Sequence, residues 1–171
     1  IIKVNNKLAT ADSTMPVIPR IGMKMQLPAQ YENLEYFGRG PVENYIDRKY
    51  CANVGKYLSK VKDQYTPYVR PQENGHKTDT RWLTLYDNNK SGLAIVADGL
   101  LEFSALNNPV EDFDAGIDKD LNFKHINDIT PKNLVELNID YKMMGLGGDD
   151  SWGATPHQQY NIYPSAKYFE Y

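Results

Sequence analysis

The chain has 171 residues, about one domain's worth, with 41% hydrophobic residues, 24% charged residues and a net charge of −3 (19 − 22). That balance excludes a wholly disordered chain and a basic nucleic-acid binder, and no apolar run approaches the ~18 residues of a membrane-spanning helix. A single cysteine, Cys51, expected as a partly buried small residue, excludes an internal disulfide and a cysteine-built zinc cage.

The first fifteen residues, IIKVNNKLATADSTM, read as one strand followed by a polar loop. They carry neither an initiator Met nor a leader pattern, so the chain reads as a cut or trimmed piece whose compartment stays open. Ile21, Met23, Met25 and Leu27 alternate with Gly22, Lys24 and Gln26, the mark of a strand with one wet face. GRGPVENYIDR, Gly38 to Arg48, follows with turn chemistry in its Gly, Pro and Asn. Its Arg39, Glu43, Asp47 and Arg48 suit either a salt-bridge network beneath the loop or direct ligand contacts. YTPYVRPQENGHKTDTRW, Tyr65 to Trp82, is a long polar connection into the next strand.

RWLTLYD, Arg81 to Asp87, is an alternating strand with Trp82 expected in the core, and NNKSG, Asn88 to Gly92, is a hairpin turn. LAIVAD then runs apolar without alternation, as a strand covered on both faces does, and LEFSALN follows as another strand. VEDFDA, Val110 to Ala115, is the best helix candidate, one or two turns long. DAGIDKDLN, Asp114 to Asn122, fails calcium-loop spacing and reads as a solvated loop. Val135, Leu137, Ile139 and Tyr141 alternate with Glu136, Asn138 and Asp140, and YNIY and KYFEY close the chain as two short strands. Ten prolines leave little room for helix. The expected fold is all-β, an antiparallel β-sandwich with at most one or two short helices, in a single domain over residues 1–171.

Chemistry concentrates in two stretches. Tyr65 to Trp82 collects Arg70, Gln72, Glu73, Asn74, His76 and Asp79. Forked and planar groups of this kind hold neighbouring hydroxyls of a polyhydroxylated ligand. Arg70, Glu73, Asn74 and His76 are the candidate sugar-facing groups; the plainer alternative is a well-bonded connection. The second stretch is GLGGDDSWGATPH, Gly145 to His157. Adjacent acids such as Asp149 and Asp150 rarely flank a sugar as a retaining glycosidase pair does, with about 5 Å between carboxyl groups. Together with Ser151 they suit loop shaping, their oxygens taking backbone N–H groups that an open turn leaves unpaired. Trp152 has no structural duty in a glycine-rich loop. Its flat face suits the C–H face of a pyranose, against the alternative of a core plug. Covering about 60–80 Å² there contributes on the order of 1.5–2 kcal/mol. His76, His125 and His157 share no metal-ligand spacing, so no metal site is expected.

PRIGMKMQLP, YFGRGPVENYIDRK, DQYTPYVRPQENGHKTDTRW and MGLGGDDSWGATPH, in this order across almost the whole chain, resemble the C-terminal domain of family 2 β-galactosidases. The resemblance implies a sandwich related to galactose mutarotases, packed on a TIM barrel of the same parent chain that carries both catalytic glutamates. It places no catalytic residue in this chain. It implies that Trp152 reaches the active-site mouth and stacks on a galactoside substrate, with Asp149, Asp150 and Ser151 shaping its loop. It assigns no cofactor to this stretch, leaving Mg or Na ions to the parent, and implies a homo-oligomeric parent. Ile46 stands where Pro is common, and His76 where Asn is frequent; neither lies in the Trp152 loop.

Two other functions compete. A free-standing epimerase of mutarotase type needs a general base and acid around one ring, for which Glu73 with His76 or His157 are candidates. A purely structural domain would only hold the barrel or a neighbouring subunit through apolar or Tyr-rich faces.

Overall fold

The computed structural model describes residues 1–10, 12, 14–114, 116, 124–150, 152–164 and 169–170. Its strands are β1 Lys7–Leu8, β2 Arg20–Pro28, β3 Asn33–Gly40, β4 Asn53–Lys60, β5 Lys77–Tyr86, β6 Gly92–Leu106, β7 Leu134–Met143 and β8 Phe169–Glu170. Among the described residues there is no α-helix, only short 3₁₀ turns at Val61–Gln64, Val110–Asp112, Ile126–Asp128 and Gln158–Tyr160. Six strands make one antiparallel sheet in the order β2-β7-β6-β5-β3-β4, and β1 pairs with β8 as a separate ribbon. The all-β antiparallel architecture expected from period-two patterning is the one the chain adopts.

Register explains the core. Tyr36 lies opposite Leu83, Leu34 opposite Leu85, and Ala105 opposite Leu137, so alternation sends all six to one face. Phe103 and Val135 join them, and Val61 from the first 3₁₀ turn closes onto the same cluster. The Tyr36 ring meets Phe103 edge-on at 5.2 Å. On the opposite face Phe37, Trp82 and Val96 are cross-strand neighbours, and Val96 is 77% exposed. Lys56 holds its ammonium 5.7 Å from the Trp82 ring.

Several local expectations need correction. LAIVAD and LEFSALN are one strand, β6, broken by a register irregularity against β5 rather than by a turn. LAIVAD is covered on one face only, which leaves Val96 open and Trp82 outside the core cluster. YNIY is no strand: Tyr160 ends a 3₁₀ turn, and residues 161–163 are irregular. Of VEDFDA only Val110–Asp112 turns, and Ala115 lies outside the described residues. Most of DAGIDKDLN also lies outside them, as do residues 165–168 and 171. The first strand is only Lys7–Leu8, and Cys51 is exposed. The NNKSG turn is as expected, with Asp87 Oδ1 accepting from the N–H groups of Asn89 and Ser91 at 2.8 and 2.9 Å.

Candidate functional site

Three loops enclose a cleft of about 510 Å³. The connection after β3 supplies Asp47 and Arg48, and the one before β5 supplies Tyr68, Gln72 and Glu73. The segment after β7 supplies Leu146 to Asp149, His157 and Tyr160. These loops are GRGPVENYIDR, YTPYVRPQENGHKTDTRW and GLGGDDSWGATPH, distant in the chain and adjacent in space.

The Trp152 loop is braced at several points. Gly145 donates its N–H to the Tyr160 carbonyl at 2.8 Å. Leu146 and Gly147 both donate to Oδ2 of Asp47, each at 2.8 Å. A Cβ on Gly148 would overlap the Ala154 carbonyl oxygen, so only glycine lets the two limbs of the loop close. Asp150 Oδ1 accepts from the N–H of Trp152 at 2.7 Å and of Ala154 at 3.3 Å, which is the shaping chemistry of an Asx turn. Asp149 takes a different partner, the Nε2 of His157, at 2.9 and 3.0 Å from its two oxygens. Ser151 lies outside the described residues. Trp152 stands 92% exposed at the tip. Leaving so large an apolar side chain outside the core forgoes roughly 2 kcal/mol of burial.

The polar candidates of the second stretch divide. Glu73 lines the cleft and accepts from the Arg20 guanidinium at 3.2 Å. Arg70 is exposed, and its carbonyl accepts from Gln72 at 3.2 Å. Asn74 and His76 are buried and do not face a ligand from here, against expectation. Asn74 closes its own loop, accepting from Thr66 N–H at 3.1 Å and donating to the Gln72 carbonyl at 3.0 Å. His76 has no exposed surface. Its Nε2 sits 3.1 Å from Glu102 Oε2, its Nδ1 3.8 Å from Asp140, and its ring stacks on Tyr45 with centroids 5.3 Å apart. The reason is strand parity. Glu102 of β6 and Asp140 of β7 face each other across the sheet on the side away from the apolar core, and buried carboxylates need donors.

This buried network is what reading the sequence alone misses. Glu136, Asn138 and Asp140 form the polar half of an alternating strand, the usual signature of a wet face, yet all are buried. Arg20 Nε lies 3.1 Å from Asp140 and so links that carboxylate to Glu73 on the cleft wall. Burial pushes the Asp140 carboxyl up to about 6, with Arg20 and His76 pulling against it. Burial likewise brings the Lys77 ammonium down to about 8. The expected salt-bridge network in the first stretch is partly there. Arg48 pairs with Glu43 at 3.0 Å, and the Tyr68 hydroxyl also donates to Glu43. Arg39 turns instead to Asp79 at 2.5 Å. Among the described residues no three His, Cys, Asp or Glu side chains are grouped to hold a metal ion.

The fold and site define an all-β domain that displays an exposed indole on a loop whose Leu146 to Asp149 line a cleft. The family model for the Beta galactosidase small chain matches residues 1–171, and the chain belongs to that family. It is 39% identical to the β-galactosidase of Priestia megaterium over 98% of this chain, and 36% identical to that of Vibrio cholerae over 86%. It is 32% identical to the β-galactosidase of Streptococcus thermophilus over 90% of this chain. The chain spans only 15%, 13% and 14% of the length of these three relatives.

Proposed function

We propose that the chain is the C-terminal accessory domain of a larger β-galactosidase of glycoside hydrolase family 2, related in fold to galactose mutarotases. Its role is to hold Trp152 against the sugar in the mouth of the parent's active site. The observation that carries this reading is an indole 92% exposed on a loop braced by hydrogen bonds on both sides. Bracing the loop backbone on both sides of the ring reduces the entropy lost when the indole stacks on a pyranose face. The cleft beside it offers Glu73, Gln72 and Asp149 for hydroxyl groups.

In this reading the parent cleaves terminal β-D-galactosides by double displacement, with its acid/base and nucleophile outside this chain. Any Mg or Na ion belongs to the parent's own sites, and the parent is a homo-oligomer. The names of the relatives support the substrate class. Docking on the parent's TIM barrel is supported by the open sheet face, where Val96 and Leu58 are largely exposed beside Phe37. Of the acid–base candidates an epimerase needs, His76 is buried, and His157, which shares the cleft with Glu73, is engaged by Asp149.

The test is kinetic. In the full-length protein, Trp152→Ala should raise KM for a galactoside by about tenfold, the equivalent of ~1.4 kcal/mol, with kcat within about twofold. Unchanged KM and kcat would leave a domain of contacts alone. The purified 171-residue chain should not turn over a chromogenic galactoside; clear turnover refutes the accessory role.

A further inference from the structure

We infer that Asp47 is the positioning residue of the Trp152 loop and sets the parent's KM for galactoside through Trp152; this rests on the platform reading above. Asp47 is 99 and 100 residues away in sequence from the two amides it binds. A single oxygen, Oδ2, accepts from both Leu146 and Gly147. Successive backbone N–H groups aimed at one anion form a nest, and bonds to a charged acceptor are about twice as strong as neutral ones. The loop also rests on that carboxylate sterically, since a Cβ on Gly145 would stand 2.8 Å from Oδ2. Among the described residues Oδ1 is buried with no hydrogen-bond partner, and the hydrogen bonds of the Asp47 carboxylate go to this loop.

Asp47 is itself held firmly. Tyr45 and Arg48 exchange backbone bonds around it, at 2.8 and 3.4 Å. Next to that turn, Asn44 Oδ1 accepts from Thr78 N–H of β5 at 2.9 Å, with Asn44 and Tyr45 both buried. A rigid path therefore runs from the sheet through the turn at 44–48 to the root of the Trp152 loop. Of the remaining braces, Gly145 to the Tyr160 carbonyl holds only the root of the loop, the Asp150 bonds lie within its tip, and Asp149 with His157 is a pair with side chains 80% and 55% exposed, which water screens. Removing Asp47 should loosen the first limb beyond Gly145, where Leu146 and Gly147 lose their acceptor, and spread Trp152 over more positions. That loss falls on binding rather than on the bond-breaking step.

The test is a double-mutant cycle on KM and kcat in the full-length protein. Asp47→Ala should raise KM about five- to tenfold with kcat within about twofold, and in a Trp152→Ala background it should add less than about twofold. Asp47→Asn keeps an oxygen for both amides and should stay within about threefold of wild type. Amide exchange at Leu146 and Gly147 should quicken at least about tenfold in Asp47→Ala. Raised KM in Trp152→Ala beside unchanged KM in Asp47→Ala overturns the Asp47 role alone, as do effects that multiply in the double variant. Unchanged KM in Trp152→Ala fails the platform reading itself. If Asp47→Ala does not fold, Asp47→Asn in the same cycle decides: its neutral oxygen should raise KM about two- to threefold and add nothing in the Trp152→Ala background, and an unchanged KM or an equal rise in both backgrounds overturns the inference.

Discussion

Residues 145–157 and residues 65–82 look alike as sequence, and both lend side chains to the cleft, but their histidines end in opposite places. Each is polar, carries glycine and aromatic residues, and contains a histidine beside a carboxylate. His157 meets Asp149 in the open, whereas His76 meets Glu102 with no surface exposed. The difference lies in what runs beneath. Residues 65–76 cross onto the sheet and enter β5, where carboxylates from β6 and β7 already point at them. Residues 145–157 leave β7 and turn out over the cleft, tied down by backbone amides. Richness in polar groups therefore does not tell a ligand surface from a polar core; the direction in which neighbouring strands point their side chains does.

The largest effect expected from this contrast is on stability. His76→Ala takes a side-chain partner from buried Glu102, which among the described residues keeps only the Met143 N–H at 2.9 Å, and empties the space stacked on Tyr45; it should cost about 3–4 kcal/mol, read as a fall in the urea midpoint of the purified chain. His157→Ala, on the open pair, should cost no more than about 0.5 kcal/mol. Equal costs would break the comparison.

Asp140 sharpens it through pH. Its folded carboxyl lies near 6, above its ordinary value of 3.8. The protonated form is thus favoured in the fold, so its stabilising contribution is complete below about pH 4 and is lost as pH rises through about 6. Asp140→Asn keeps a neutral group at every pH. Between pH 4 and pH 7 the stability difference should move by on the order of 2–3 kcal/mol in favour of the variant. Urea midpoints at the two pH values measure this, and a difference that does not move refutes it. Lys77→Met comes next. It replaces an amine that burial holds near 8, and should stabilise the chain at pH 7 by about 1–2 kcal/mol, checked by thermal midpoint. Smallest of all, Trp152→Ala should change the chain's stability by less than about 0.5 kcal/mol, because its ring covers little of the fold.

Much of this was legible in the residues. The alternation in β2, β5 and β7 shows which strands line the core, and NNKSG marks the hairpin. β3 and β4 were not legible. NLEYFGRG has the right period but runs into glycine-rich turn chemistry, and NVGKYLSK is an edge strand whose Val54 and Leu58 point to the open face. At the site, Asp150 as a loop shaper follows from glycine content and Asx chemistry, whereas the residues alone left Trp152 between an exposed platform and a core plug. The grip of Asp47 on Leu146 and Gly147 does not, since no local pattern joins residues about 100 apart. The burial of Asn74 and His76 was hidden for the same reason: their partners come from other strands and loops.

The most direct measurement is the Kd of a non-hydrolysable thiogalactoside for the full-length protein, by calorimetry, in wild type and Trp152→Ala. An indole that covers one face of the sugar gives a Kd about tenfold weaker in the variant, with thermal midpoints alike. Equal Kd values in two equally folded proteins would show that the exposed ring never meets the sugar.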